Sequence, residues 1–135
     1  LQFDNVLKTG WTEIEKSSFK IIDWRGNFGD ILNGGDIYYD LSKLYGGLNL
    51  PYSLIKNNHF KLSYDEKNVL YDYRMTHNIV ESKIAYEDLI KRKGLNIKKI
   101  KILTGLIFLN MAPLHHYPFD HMLYHLARYN LNKIL

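Results

Sequence analysis

Cysteine is absent from all 135 residues, which excludes a disulfide framework and thiolate metal ligands and accords with a reducing, cytoplasmic setting. Long apolar runs are absent too. The longest, residues 102–114, is broken by Thr104, Gly105 and Asn110 and falls short of the roughly 20 residues a membrane-spanning helix needs. A buried core helix is expected there, and no membrane partner. Residues 1–8 carry neither an initiator methionine nor the basic-then-apolar order of a secretory leader, so the chain reads as truncated rather than processed. Repeats, low-complexity tracts and interdomain linkers are also missing. Charge of one sign is in small excess, 18 basic against 14 acidic residues. The densest basic stretch, residues 91–101, has no interleaved aromatics; it reads as the solvated junction of two helices, and no nucleic-acid partner is expected.

What is present, 46% hydrophobic and 24% charged residues, is the composition of a globular chain able to bury a core. Residues 5–8 and 19–24 are short, apolar and β-branched, with Thr9, Gly10, Ser17 and Ser18 between them, which predicts a hairpin. Residues 26–35 hold four glycines and two asparagines, a density that makes a loop. Asp36 then stands where an N-cap is needed for a helix bearing Tyr39, Leu41, Leu44 and Tyr45, expected to stop at Gly46 and Gly47. Over residues 59–74, Phe60, Leu62 and Tyr64, then Val69, Tyr71 and Tyr73, alternate with polar neighbours around a turn at 65–68, a second hairpin. Ile79, Ser82, Tyr86, Leu89 and Ile90 share one side of a 3.6-residue period, an amphipathic helix ending near Gly94. Residues 95–111 are apolar nearly all round beyond Lys101, as in a helix enclosed by others, and a last helix opens at Pro118 and runs to Asn132. The fold class is therefore α+β, mainly helical, with residues 1–135 as one partial domain.

The chemistry concentrates in the first forty residues. Kinases hold a divalent cation beside the nucleotide phosphates with an Asn of the catalytic loop and an Asp at the end of a neighbouring strand. A hairpin joining Asn5 to Asp23 would put both oxygens on one side, and such hard ligands suit magnesium, which retains waters and takes few protein ligands.

Three segments, in order and at fitting spacing, carry a resemblance. Leu1 and Asn5 match a loop reading His-Gly-Asp, then Leu, three variable residues and Asn; Ile22-Asp23-Trp24 matches Ile-Asp with an aromatic or apolar residue. Gly35-Asp36-Ile37-Tyr38-Tyr39-Asp40-Leu41-Ser42 is similar to Gly-Asp, spacers and Asp-Leu-Ala. Together they resemble the aminoglycoside phosphotransferases and choline kinases, over residues 1–48; residues 49–135 agree in element order alone. The resemblance implies the C-terminal lobe of a kinase-like fold: a hairpin at the catalytic centre followed by a helical substrate-binding part. It implies Asn5 and Asp23 as magnesium ligands and Asp40 as a buried residue bracing the catalytic loop. It implies ATP as co-substrate and a small hydroxyl compound (sugar, amino alcohol or aminoglycoside) as acceptor. The catalytic Asp would lie immediately before Leu1, and the nucleotide-binding N-terminal lobe would be the partner that completes the cleft. The loop at 24–29 resembles kinases of bacterial surface-polysaccharide metabolism more than antibiotic-resistance enzymes.

Plainer readings stand beside these. Asp23 could cap the turn before the glycine-rich loop, and Asn5 could stabilise its own turn. Asp36 reads as a helix cap rather than a ligand. Arg25 could meet a phosphate or an anionic substrate, or pair with Asp30. His121 and His125, spaced i, i+4 near His115 and His116, suggest a shared metal on one helix face, but Met122 stands where a zinc-protease motif has Glu. The eleven tyrosines could build a cation-binding cage or simply pack. The competing class is a non-catalytic, kinase-like interaction module. The two readings part at one cheap observation: the codons ahead of Leu1 are expected to specify His-Gly-Asp, and any other tripeptide there counts against the kinase.

Overall fold

In the computed structural model, which describes residues 3–10, 17–23 and 28–135, the change of apolar period from two to 3.6 separates hairpins from helices. Strands β1 (Val6–Thr9) and β2 (Ser18–Ile21) pair antiparallel with Val6 opposite Ile21 and Thr9 opposite Ser18. The Thr9 and Ser18 hydroxyls lie 2.5 Å apart across the ladder. Helix α1 (Ile37–Asn49) starts at Asp36, whose carboxylate accepts the Tyr38 N–H at 2.9 Å and so satisfies one of the orphan donors of the first turn.

Gly46 and Gly47 do not stop this helix as expected; it continues to Asn49. The missing side chains serve packing instead of termination. A Cβ at Gly46 would lie 3.3 Å from Phe108, and one at Gly47 only 2.8 Å from the ring of Phe3. Close approach of neighbours offsets the roughly 1 kcal/mol that glycine costs inside a helix. The chain then passes Pro51 into a short helix, α2 (Tyr52–Lys56), that the apolar pattern did not announce.

Strands β3 (Phe60–Tyr64) and β4 (Val69–Tyr73) form the second hairpin, with Phe60 opposite Tyr73 and Tyr64 opposite Val69. Its turn is tied by Asp65, whose carboxylate accepts the backbone N–H of Lys67 at 2.9 Å and of Asn68 at 2.8 Å. Those bonds, with the Asn68 side chain, hold the Asp65 carboxyl below its ordinary range. Helices α3 (His77–Arg92) and α4 (Ile97–Met111) meet at Gly94, in the left-handed conformation at φ +67°. After a 3₁₀ turn at Ala112–Leu114 and a cis Tyr117–Pro118 bond comes α5 (Phe119–Ile134).

Helix α4 lies between α1 and α5. It is not enclosed all round, because two helical neighbours cover two faces: Leu106 remains 49% exposed. On the α5 side a Cβ at Gly105 would meet Leu131 at 2.7 Å. On the α1 side Ser42 and Thr104 are buried as a polar pair. The Thr104 hydroxyl lies 3.0 Å from the Ser42 carbonyl, and the Ser42 hydroxyl 3.2 Å from that of Ile100. The larger apolar cluster joins Phe108, Phe119, Met122, Leu123 and Leu126, with Phe60, Tyr71 and Tyr73 of the second hairpin packed on it; the smaller joins Tyr45, Ile90 and Ile100. No helix among the described residues is long and apolar enough to cross a membrane.

A charged network closes the side of the smaller cluster. The Tyr45 hydroxyl donates to Glu87 at 2.5 Å, and Lys101 pairs with the same carboxylate at 3.0 Å. Burial pushes the Glu87 carboxyl up, but the hydrogen bonds from Tyr45 and Lys101 and the charges of Lys101 and Lys83 outweigh it and hold the group below its ordinary value. A depressed carboxyl pKa contributes stability that is present above the unfolded value, about 4.3, and is lost as pH falls through the folded value. Glu87→Gln is therefore expected to unfold about 1–3 kcal/mol more easily at pH 7. The gap from wild type should shrink below about pH 4; a gap of equal size at pH 3 in denaturant titrations would rule the network out as its source.

Candidate functional site

One hydrogen bond carries the first ladder beyond its strands: Ile22 N–H donates to the carbonyl of Asn5 at 2.9 Å. It draws the two segments together just where the sequence places Asn5 and Asp23. Asp23 then turns into the left-handed region at φ +52°, a conformation costing about 1–2 kcal/mol for most residues and tolerated best by Asn and Asp. In this pose Asn5 Nδ2 lies 3.5 Å from Asp23 Oδ2. The amide's nitrogen and oxygen are alike in shape, so a flip brings Oδ1 to the same place. Asn5 is half-buried and Asp23 exposed.

This donor set, one carboxylate and one amide oxygen meeting across a hairpin, fits a hard divalent cation that keeps most of its waters. It does not resemble a closed site for a softer metal. Among the described residues no group of three or more His, Cys, Asp or Glu could hold a metal ion.

The pair is held against the helical part by Phe3. Residues Phe3–Asn5 form a 3₁₀ turn, and the Phe3 ring rests on Gly47 of α1, where no side chain stands in its way. The sequence gives Phe3 no role, and it reads Gly47 as a helix stop rather than as a seat for a ring. The only signal was a Gly-Gly pair inside a helical apolar pattern, and that pattern reads equally as a stop.

The other expected residues fall as follows. Asp40 sits in the first turn of α1 and is half-buried rather than buried. Asp36 is the N-cap it was read to be, with Lys99 3.9 Å away. Arg25 and Trp24 lie outside the described residues. The basic stretch is the α3–α4 junction, where Lys99 sits 4.0 Å over the Tyr38 ring and Lys101 pairs with Glu87. His121 and His125 do share a helix face, and what they share is the Tyr64 hydroxyl, 2.6 Å from His121 Nδ1 and 3.4 Å from His125 Nε2. Burial, then the charges of Arg128 and His121, lower the His125 pKa.

Apolar side chains are exposed all along this end of the sequence. Leu7, Phe19, Ile21 and Ile22 of the first hairpin, Ile31 and Leu32 of the glycine-rich loop, and Ile37 at the start of α1 all face solvent. A two-stranded hairpin is marginal when nothing covers it.

Compared with family models, curated proteins and solved structures, the chain matches none.

The Phe3–Gly47 contact is open to direct test. Gly47→Leu suits a helix better than glycine by about 1 kcal/mol yet displaces the Phe3 ring. Amide exchange in β1 and β2 is expected to speed by about tenfold or more while α4 and α5 keep their protection. Unchanged exchange in the strands would mean that other contacts hold the hairpin.

Proposed function

We propose that the chain is the C-terminal, metal- and substrate-binding lobe of an ATP-dependent small-molecule phosphotransferase of the aminoglycoside phosphotransferase and choline kinase type. The observation that carries this reading is the meeting of Asn5 and Asp23, far apart in sequence and 3.5 Å apart in space, across a hairpin. Three further features support it. Asp23 is held in a backbone conformation that carries a cost, and such outliers concentrate at functional sites. The Gly35-Asp36 motif caps the helix that carries both Asp40 and the platform for Phe3. The apolar surface of the first hairpin calls for a cover, which in this reading is the N-terminal lobe of the same protein.

For the reaction, Asn5 Oδ1 and the Asp23 carboxylate would hold magnesium. When bound, the ion offsets negative charge developing on the phosphoryl oxygens of ATP. The Asp expected before Leu1 orients the acceptor hydroxyl and accepts its proton. Asp40 steadies the start of α1 beneath the loop, and Arg25 contacts a phosphate or the acceptor. Positioning and electrostatics do nearly all the work in such a transfer. The acceptor is a sugar, an amino alcohol or an aminoglycoside, in a cytoplasmic enzyme of bacterial surface-polysaccharide metabolism.

The test is a coupled ADP-release assay on the full-length protein with a panel of sugars and amino alcohols. Asp23→Ala is expected to lower turnover by at least about 10²–10³-fold while leaving the circular dichroism spectrum and melting unchanged. Residues 1–135 alone are expected to show no turnover and weak magnesium-ATP binding by calorimetry. Wild-type turnover in the variant would remove Asp23 from the site. Micromolar nucleotide binding with repeated turnover by residues 1–135 would place the catalytic centre elsewhere.

A further inference from the structure

Away from the Asn5–Asp23 pair, β4, α5, the C-terminal end of α1 and the middle of α3 line an open groove of about 500 Å³. Strand alternation gives it Tyr71 and Tyr73. Helix α5 adds Tyr129 and Asn130 on adjacent positions, α1 ends on Asn49, and α3 contributes Lys83. No acidic residue lines it among the described residues.

Lys83 gives the groove its charge. Its side chain is half-buried, and its Nζ donates to Asn49 Oδ1 at 2.6 Å and stands 5.4 Å from the Tyr45 ring centre. An ammonium carries three donors, so the Asn49 bond leaves two. The adjacent carboxylate, Glu87, is ion-paired with Lys101. Lys83 makes no ion pair among the described residues and feels the Glu87 charge only at longer range. Burial, followed by the Lys101 charge, lowers the Lys83 pKa against the pull of Glu87. Both perturbations signal an ammonium that an anion would stabilise.

The remaining polar groups complete the pattern. Tyr71, Tyr73 and Asn130 are half-buried and Tyr129 is exposed, and no buried side-chain nitrogen or oxygen among the described residues lacks a hydrogen-bond partner, so the polar atoms of these four reach solvent. Burial first, then the neighbouring Tyr73 and Tyr129, push the Tyr71 phenol up to about 12, so it remains a neutral donor. The Tyr71 and Tyr129 rings meet edge to face at 6.2 Å, and Lys133 rides over Tyr129 at 4.4 Å. Aromatic walls with a few solvent-accessible polar groups suit a small molecule. Ring C–H faces pack on such walls, hydroxyls pair with phenols and amides, and the two remaining donors of the Lys83 ammonium favour a negative substituent over a positive one.

We propose that this groove binds a small anionic polyol, a sugar ring bearing a carboxylate or a phosphate, with Lys83 as the partner of the anion. Binding stands apart from the phosphotransferase reading. Joined to it, the groove selects acidic sugars and rejects cationic amino alcohols and aminoglycosides.

Calorimetry and ¹⁵N-amide shift mapping on the full-length protein, without nucleotide, test this with glucuronate, glucose 6-phosphate, glucose, inorganic phosphate and choline. Glucuronate or glucose 6-phosphate is expected to bind at least about tenfold more tightly than glucose, the preference worth one charge-assisted hydrogen bond, and to shift the amides of Tyr71, Tyr129 and Asn130. Which of the two binds identifies the anion. Lys83→Met should erase the preference and Lys83→Arg should keep it. If the Met variant does not fold, Asn130→Leu and the wild-type shift map decide, the former by weakening the acidic sugar. Glucose binding as tightly as the acidic sugars, choline binding, inorganic phosphate matching glucose 6-phosphate, or shifts that miss the groove would each overturn the proposal. Because no arm contains nucleotide, a failed phosphotransferase assay and a failed binding assay are read separately.

Discussion

The arrangement depends on how closely α1 and α5 approach the helix between them. Gly46 lets α1 settle against Phe108, Gly105 lets α5 settle on α4 through Leu131, and at the α1–α4 contact the Thr104 hydroxyl donates to the Ser42 carbonyl and the Ser42 hydroxyl to that of Ile100. Interiors are packed as tightly as organic crystals, so a Cβ at Gly105 would force Leu131 to shift, and one at Gly46 would press Phe108 aside by a few tenths of an ångström. Everything else is laid on this three-helix layer. The second hairpin packs Phe60, Tyr71 and Tyr73 on its larger cluster, α3 covers Tyr45 and Ile100, and the first hairpin rests on α1 through Phe3.

Much of this was legible in the sequence. The strict alternation from Phe60 to Tyr73 around an Asp-initiated turn identified the second hairpin to within a residue at either end. Asp36 behind a glycine-rich loop identified the start of α1, and the apolar stripe through Ile79, Tyr86 and Ile90 identified α3. The misread end of α1 has one cause: glycine has two opposite uses. A Gly-Gly pair can end a helix by adopting positive φ, or it can let another element lie against the helix. The sequence pattern is the same in both cases, and the partner that decides between them, Phe108 or Phe3, is distant along the chain. The exposed Leu106 has a similar origin, because composition alone does not reveal how many neighbours a helix has.

The candidate sites divide the same way. The approach of Asn5 to Asp23 was readable because a hairpin is a local structure whose register sets which residues face each other. The groove around Lys83 was not, because its walls come from four elements separated by long stretches of chain, and no local period marks them. Among eleven tyrosines, nothing in sequence separates the three that line it from those that pack.

The last turn of α1 carries more than its length suggests. Gly47 supports the ring that positions the Asn5–Asp23 pair, and Asn49, on the same turn, accepts the hydrogen bond of Lys83. A helical turn moves nearly as a unit, so a change in the position of Asn49 is felt at Gly47. Under the proposed binding, occupancy of the groove and the order of the first hairpin would be linked through this turn, and such linkage is reciprocal in free energy.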